Sequence, residues 1–231
     1  MRVLAALATV PGRAHVLPRA LESLRPHVDV LAVYLNGYAD VPKVVSKLAD
    51  LHVLDHENRG AERKLHWAAE HGGIYLSCDD DFAYPADYVP TMVAAVQQWK
   101  GQAIVTGHGR SFHGRPRTIQ EYQRSSLGIV HHQVKTGRWV NHGGTGCMAW
   151  DTREVALPAE WPLRNMADMQ VSVWAQRNRV PIWLVPHKGR WLDSFLTMDP
   201  NGLFASSRAE GHARRNALLQ TTDWQIFTVN Q

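Results

Sequence analysis

The first hundred residues alternate between short apolar runs and stretches with apolar residues three or four positions apart. The short runs predict strands, and the wider spacing predicts amphipathic helices. Predicted strands cover residues 2–8, 28–35, 51–54 and 74–78, and a fifth begins at Ile104. Predicted helices cover residues 16–24, 41–48, 61–71 and 85–99. This alternation predicts an α/β fold, a three-layer sandwich with a mostly parallel central sheet.

The pattern loosens after residue 107 and becomes regular again near residue 146. We predict a strand over residues 146–150, a helix over 165–178, a strand over 182–185 and a basic helix over 207–219. The loose stretch is rich in arginine and lysine, with Glu121 as the one acid between residues 110 and 138. That excess motivates a nucleic-acid-binding hypothesis, although the stretch has neither a recognition helix nor zinc-finger spacing.

Composition narrows the class of protein. A chain of 231 residues with 45% hydrophobic and 20% charged residues is long enough for one globular core. The net charge of +4 permits anionic ligands. Cys78 and Cys147 lie in predicted strands without metal-site spacing, so we expect two buried thiols.

Residues 1–11 resemble a signal peptide, but they run into a turn and an amphipathic helix. We interpret them as the first strand of a cytoplasmic protein without a membrane span.

Three consecutive aspartates, Asp79 to Asp81, follow the predicted strand 74–78. Ligands of parallel sheets bind beyond the carboxyl ends of the strands. Adjacent carboxylates repel one another, and Mg²⁺ and Mn²⁺ prefer oxygen ligands that they share with substrate phosphates. The triplet therefore indicates a divalent cation bound with a phosphate-bearing ligand. The alternative is a solvated acidic turn that caps the helix near Pro85.

In this order of elements, the triplet resembles the DxD signature of GT-A glycosyltransferases, especially the family 2-like enzymes. Further segments resemble motifs of that family in the same order. They are Thr9-Val10-Pro11-Gly12-Arg13, Asn58-Arg59-Gly60-Ala61-Glu62-Arg63-Lys64, Gly143-Gly144-Thr145-Gly146-Cys147, and Ala167-Asp168-Met169 with Arg179-Val180-Pro181-Ile182. The resemblance implies a Rossmann-like GT-A fold. It also implies a metal-dependent enzyme that transfers a sugar from a nucleotide-diphosphate sugar to a hydroxyl acceptor, with inversion expected.

The resemblance also implies roles for the three aspartates. Asp79 is expected near the ribose, and Asp81 is expected to ligate Mn²⁺ or Mg²⁺. Asp80 is expected to point away or to pair with a basic residue at the donor site. His187 is placed like the late histidine that completes the metal site in some GT-A enzymes; the alternative is an ordinary surface histidine. A metal that bridges the two phosphates would stabilise the departing diphosphate.

The donor site is expected to draw on the loops that follow the first strands. Besides Asp79 and Asp80, we assign to it Thr9, Pro11, Arg13, Asn36 and Lys64. Arg13 and Lys64 carry the positive charge that could contact the diphosphate. The alternative for both is a solvated surface cation.

Glycosyl transfer also needs a base that deprotonates the acceptor hydroxyl. Asp168 is the one acid between Arg164 and Arg179, and it lies early on a predicted helix. We assign it the base role. The alternative is a helix-start carboxylate favoured by the helix dipole. Glu154 and Glu160 are less well placed candidates.

We expect a single catalytic domain over residues 1–231. Residues 1–107 would bind the nucleotide sugar, residues 108–206 the acceptor, and residues 207–231 would form a helical tail. Trp139, Trp150 and Trp161 flank the expected acceptor side, where stacking on a sugar or base competes with simple core packing. A glycan, a protein, a lipid-linked molecule and modified DNA all stay open as acceptors.

Two other functions fit parts of the sequence. A nucleotidyltransferase could use the same metal to activate a phosphate. Such enzymes often have a glycine-rich first loop, however, and residues 9–13 contain a single glycine, Gly12. A non-catalytic nucleic-acid-binding module would explain the basic stretch. This idea and the enzyme hypothesis merge if the acceptor is modified DNA.

Overall fold

The structure, a computed structural model, describes residues 1–112, 114–128, 130–194 and 210–229. Its α-helices are α1 (Leu17–Leu24), α2 (Lys43–Leu48), α3 (Tyr88–Gln98), α4 (Ile119–Arg124), α5 (Ala167–Arg177) and α6 (Glu210–Thr221). Its strands are β1 (Val3–Thr9), β2 (Val30–Asn36), β3 (Leu51–Asp55), β4 (Ile74–Cys78), β5 (Phe82–Ala83), β6 (Ile104–Thr106), β7 (Gly109–Ser111), β8 (Ser126–Gly128), β9 (Arg138–Val140), β10 (His142–Gly143), β11 (Cys147–Asp151), β12 (Ile182–Leu184) and β13 (Asp193–Ser194).

Eight strands form the central sheet in the order β3-β2-β1-β4-β11-β6-β12-β9. The pairs from β3 to β4 are parallel, as is the β6–β12 pair, while β11 runs antiparallel to both of its neighbours and β9 runs antiparallel to β12. The insertion of β11 beside β4 places Cys147 opposite Cys78, at the strand end where the aspartate triplet begins. Both thiols are free and buried, as predicted.

Two hydrophobic clusters cover the two faces of this sheet. Along β1, Ala5 and Leu7 pack with the apolar faces of α1 and α3, whereas Leu4 and Ala6 pack with residues of α5. Successive side chains of a strand point to opposite faces, so a wholly apolar strand requires cover on both sides. The predicted Rossmann-like, three-layer α/β class with a mostly parallel sheet is therefore confirmed.

The predicted helix over residues 61–71 is wrong. A short 3₁₀ segment, Ala61–Leu65, is followed by turns up to residue 70. The carbonyl of Lys64 accepts a hydrogen bond from the Tyr75 hydroxyl at 2.7 Å, and Ala68 N–H donates to Leu65 at 3.0 Å. Tertiary contacts have thus replaced the i to i+4 pairing that an α-helix needs.

The loosely patterned stretch contains structure that the sequence did not reveal. Strands β10, β7 and β8 form a small antiparallel sheet, and α4 lies between β7 and β8 in the chain. The basic tail is helical as predicted over residues 210–219, while residues 207–209 and the end of the expected acceptor half, 195–206, lie outside the described residues. None of the helices in the described ranges combines the length and apolarity that crossing a membrane requires.

Candidate active site

The carboxyl ends of β1, β2 and β4 meet at one edge of the sheet because these strands are parallel and adjacent. A cavity of about 300 Å³, which we call the Thr9 cavity, opens at this edge. Its walls are formed by Ala8, Thr9, Val10, Arg13, Asn36, Asn58, Gly60, Ala61, Asp80 and Asn165. Four residues assigned to the donor site therefore come together here, namely Thr9, Arg13, Asn36 and Asp80.

Asn36 holds the rim of the Thr9 cavity in place. Its side-chain amide donates to the Gly60 carbonyl at 3.1 Å, and its side-chain oxygen accepts from Arg59 N–H at 3.1 Å. Gly60 has φ of 106°, which a residue with a Cβ rarely adopts. Pro11 is exposed at the start of a 3₁₀ turn and forms no part of this wall. Its donor role stays a prediction.

The three aspartates have different partners. Asp80 is buried and accepts a hydrogen bond from Arg13 Nη1 at 2.8 Å. Asp79 accepts from Lys64 Nζ at 2.5 Å. Among the described residues, the nearest cation to Asp81 is the more distant Arg13 guanidinium, at 3.8 Å, and 18% of the Asp81 side chain is exposed. The expectation that Asp80 pairs with a basic residue agrees with this geometry. Asp79 is the most exposed of the three side chains, at 36%, and Asp81 is the one without a close cation among the described residues.

The electrostatics follow from this crowding. Burial and the neighbouring Asp79 raise the pKa of Asp81 to about 7, against the opposing effect of Arg13. Burial also raises the pKa of Asp80, and Arg13 again opposes it. Burial disfavours the charge on Lys64, but Asp79 and Asp168 outweigh burial and hold the Lys64 pKa above its ordinary value. The site is therefore a cluster of carboxylates only partly neutralised by two cations.

Such a cluster fits a divalent cation whose remaining ligands come from a substrate. Within the described ranges, no three His, Cys, Asp or Glu side chains are grouped as a complete metal cage. Mg²⁺, however, is usually held by one or two carboxylates together with substrate phosphates and water. Asp81, with Asp79 beside it, provides a donor set of that kind.

His187 is engaged elsewhere. Its Nε2 lies 3.0 Å from the Gly107 carbonyl oxygen and its Nδ1 lies 3.0 Å from that of Lys188. The ring stacks on Trp191 with centroids 5.1 Å apart. Metal binding by His187 would require one of the carbonyl contacts to break, and its ligand role stays a prediction.

A second cavity, of about 380 Å³, adjoins the triplet, and we call it the Asp168 cavity. Its polar and charged walls are formed by Lys64, Asp79, His108, Arg110, Tyr122, Gln123, His142, Thr145, Asn165, Asp168 and Arg215. Asp168 lies in the first turn of α5, surrounded by protein but exposed to the cavity. It accepts hydrogen bonds from the Thr145 N–H, at 2.8 Å, and from the Thr145 hydroxyl.

Asp168 is an ionised carboxylate at neutral pH. Burial disfavours its charge, but Lys64 and the two donors of Thr145 outweigh burial and hold its pKa below the ordinary value. Burial lowers the pKa of His142 to about 3 and that of His108 to about 4, so both of these neighbours are neutral. The cavity thus places a carboxylate next to neutral hydrogen-bonding groups.

Asn165 and Ala61 belong to the walls of both cavities. The Ala61 N–H donates to the Asn165 side chain at 3.0 Å, and the Asn165 N–H donates to Glu62 at 2.8 Å. This bridge ties the start of the 3₁₀ segment to the loop before α5. The two cavities therefore adjoin, with Asp80 in the wall of one and Asp79 in the wall of the other.

Sequence reasoning missed several residues of the Asp168 cavity. Arg110 was noticed only as part of the basic stretch and Arg215 only as part of the predicted basic helix, while His108, Tyr122 and His142 were assigned no role. The three tryptophans lie outside both cavity walls. Trp150 is fully buried, Trp139 packs on Trp99 with ring centroids 4.5 Å apart, and Trp161 packs against the core. For these three, core packing is the observed role.

The sequence matches no protein-family model and no curated protein. The structure is similar to the crystal structure of a mycobacterial protein, with a TM-score of 0.53 and 16% identity. The similarity covers 79% of this chain and 64% of that one, so the chain spans less than two thirds of its length. The crystal structure of glucosyl-3-phosphoglycerate synthase from Mycobacterium tuberculosis, in complex with phosphoglyceric acid, matches with a TM-score of 0.42 and 17% identity. This similarity covers 66% of this chain and 57% of that one. The first similarity shows a shared fold, and the second is too distant to support more.

Proposed function

We propose that this protein is a GT-A-type glycosyltransferase that moves a sugar from a nucleotide-diphosphate sugar to a hydroxyl acceptor with the help of Mn²⁺ or Mg²⁺. The observation that carries the proposal is the pair of adjoining cavities with the aspartate triplet between them. A nucleotide sugar has this arrangement of parts: a nucleoside, a charged diphosphate and a sugar. The Thr9 cavity would hold the nucleoside, and the Asp168 cavity would hold the sugar and the acceptor.

In this proposal the charged residues between the cavities act on the diphosphate. Asp81, with Asp79 beside it, would hold the metal, and a bound metal would stabilise the leaving diphosphate. Lys64 and Arg13 already lie next to the triplet, so they are placed to offset phosphate charge. When the donor binds, Lys64 and Arg13 would give up part of their contact with Asp79 and Asp80 and would contact the diphosphate instead. The carboxylates would gain the metal as a partner.

Asp168 is the proposed general base, which would give inversion at the transferred carbon. It is ionised, it is exposed to the cavity, and Thr145 fixes its orientation through two hydrogen bonds. A base must reach the proton that it abstracts, and orientation by a third group is typical of such sites. Of the two alternative bases, Glu160 is exposed and paired with Arg63 at 3.3 Å. Glu154 is also exposed, and both lie outside the walls of the two cavities.

The proposal is tested by measuring the melting temperature with UDP, GDP, TDP and CDP, each with and without Mn²⁺. A ligand that binds only the folded state raises the melting temperature. We expect one nucleoside diphosphate to do so, and to do so more strongly with Mn²⁺. Incubation with the matching nucleotide sugar should then release the nucleoside diphosphate. Release of pyrophosphate from a nucleoside triphosphate would instead support nucleotidyl transfer, and a metal-independent or absent response would count against a metal-bound donor.

A further inference from the structure

The Asp168 cavity contains two arginines that lie outside the ion pairs of its described residues. Lys64 contacts Asp79 directly, and the charge of Asp168 also acts on Lys64. Arg110 and Arg215 line the same cavity, and neither forms an ion pair with a carboxylate in the part of the chain that the structure describes. The cavity lining therefore carries three cations, Lys64, Arg110 and Arg215, against the two carboxylates of Asp79 and Asp168, which leaves an excess of positive charge.

Arg110 is held in a fixed position in this cavity. Its guanidinium lies over the Tyr122 ring, 4.6 Å from the ring centre, and Nη1 lies 3.3 Å from the carbonyl oxygens of Tyr122 and Gln123. Its Nε is buried and has no hydrogen-bond partner within the described residues. A buried donor without a partner is costly, and an anionic ligand would remove that cost.

Arg215 comes from α6, which is anchored at the cavity rim. The next residue, Asn216, accepts a hydrogen bond from the Ile119 N–H at 2.8 Å, and Ile119 itself lines the cavity. Leu219 is fully buried in a small cluster with Met166 and Met169, which flank Asp168 on either side in the chain. The helix therefore presents Arg215 from a docked position rather than from a loose tail.

The histidines of the cavity do not compete for an anion as cations. Burial is the main cause of the low pKa of His142. Arg110 and Arg215 lower that pKa further, and Asp168 opposes them. The charges of the same two arginines also lower the pKa of Tyr122, against the larger effect of burial, as expected for residues that line the same cavity. A neutral histidine can still donate one hydrogen bond to a ligand.

We propose that Arg110 and Arg215 form an anion-binding subsite for a phosphate group carried by the acceptor. A phosphomonoester carries about −1.5 to −2 charges near neutral pH, which matches two unpaired guanidinium groups. Arginine is also suited to such groups because its planar fork can donate two hydrogen bonds to phosphate oxygens. The ligand's role as acceptor rests on the proposed function, whereas binding of the anion does not.

The test is calorimetric titration with inorganic phosphate, glycerol 3-phosphate and, as the uncharged match, glycerol. We expect the two phosphates to bind the wild-type protein and glycerol not to bind. Arg215→Gln should weaken phosphate binding at least tenfold, and Arg215→Lys should weaken it less. Arg214→Gln is the matched control, since Arg214 is the adjacent, exposed arginine on the same helix and lies outside the cavity wall. Melting temperatures of the three variants establish that each is folded.

A short single-stranded oligonucleotide distinguishes the two sources of such a phosphate. Tighter binding of glycerol 3-phosphate than of the oligonucleotide, lost in Arg215→Gln, would identify a small phosphorylated acceptor. Tighter binding of the oligonucleotide, lost in the same variant, would identify a polynucleotide acceptor. Absence of phosphate binding, or equal weakening by Arg214→Gln and Arg215→Gln, would overturn the subsite. A protein that binds phosphate through Arg215 but releases no nucleoside diphosphate would overturn the proposed function alone.

Discussion

Arg13 donates to Asp80 at 2.8 Å, and the same guanidinium nitrogen lies 3.8 Å from Asp81. The cation comes from the loop after β1, and both acids follow β4, which is the neighbouring parallel strand. One arginine thus offsets the buried middle carboxylate while leaving the next one largely unpaired. Asp80 therefore has a structural partner in Arg13, whereas Asp81 is available to a ligand.

Removing this arginine should destabilise the protein in a pH-dependent way. Without Arg13, the pKa of Asp80, already raised by burial, should rise further. A buried acid with a raised pKa costs stability once the pH exceeds the ordinary aspartate pKa, because the unfolded chain ionises more readily. We expect Arg13→Gln to lower the free energy of unfolding by about 1–3 kcal/mol near neutral pH, less than the full cost of breaking a buried pair because Arg13 is 21% exposed.

Urea denaturation in the presence of a chelator measures this effect. The difference in free energy of unfolding between Arg13→Gln and wild type should be smallest at about pH 4, where Asp80 approaches its protonated state in both proteins. It should grow towards neutral pH. Arg177→Gln, a change at an exposed arginine on α5, is the control and should show little effect. A constant difference at all pH values would mean that Asp80 is not the group involved.

Asp81→Asn should remove the response to metal. Its carboxylate has no cation closer than Arg13, at 3.8 Å, within the described residues, so folding should be little changed. We expect the Mn²⁺-dependent part of the melting shift with nucleoside diphosphate to disappear and turnover to fall at least a hundredfold. Asp40→Asn, at an exposed acid, should behave as wild type. Full turnover of Asp81→Asn under strict chelation would exclude a metal role for this residue.

Asp168→Asn should slow the chemical step more than it weakens donor binding. General-base catalysis contributes about 10²–10⁴-fold to a rate, and asparagine cannot accept the acceptor proton. We expect kcat to fall within that range while the dissociation constant of the nucleoside diphosphate changes by less than about threefold. Glu160→Gln removes the exposed alternative base and should retain activity. Equal losses in both variants would argue against Asp168 as the base.

Gly146→Ala should disturb the triplet from the opposite strand. A Cβ on Gly146 would lie 2.0 Å from Asp79 Oδ2, so the carboxylate that contacts Lys64 would have to move. We expect at least a tenfold loss of nucleotide-sugar turnover, which steady-state kinetics can measure. Gly72→Ala, whose new Cβ would meet nothing within 4 Å, is the matched control. Unchanged kinetics in Gly146→Ala would show that the position of Asp79 is unimportant.

The sequence predicted most of the central sheet because its strands are apolar on both faces and end in turn residues. The strand over residues 74–78 was predicted with its observed bounds, and the triplet was correctly placed at its end. The segment after Gly60 was mispredicted because its helical periodicity is local, while the Tyr75 hydroxyl that occupies the Lys64 carbonyl comes from a neighbouring strand. The small sheet of β7, β8 and β10 escaped notice because its strands have three residues or fewer.

By itself, the sequence determined the layered α/β class and which residues follow each strand, since periodicity and turn residues act over short distances along the chain. Only the tertiary structure decided which cation each aspartate takes, how Asn165 joins Ala61 across 104 positions, and that Arg215 of the last helix shares a cavity with Asp168. Contacts of this kind depend on how whole elements pack, and no local pattern records them.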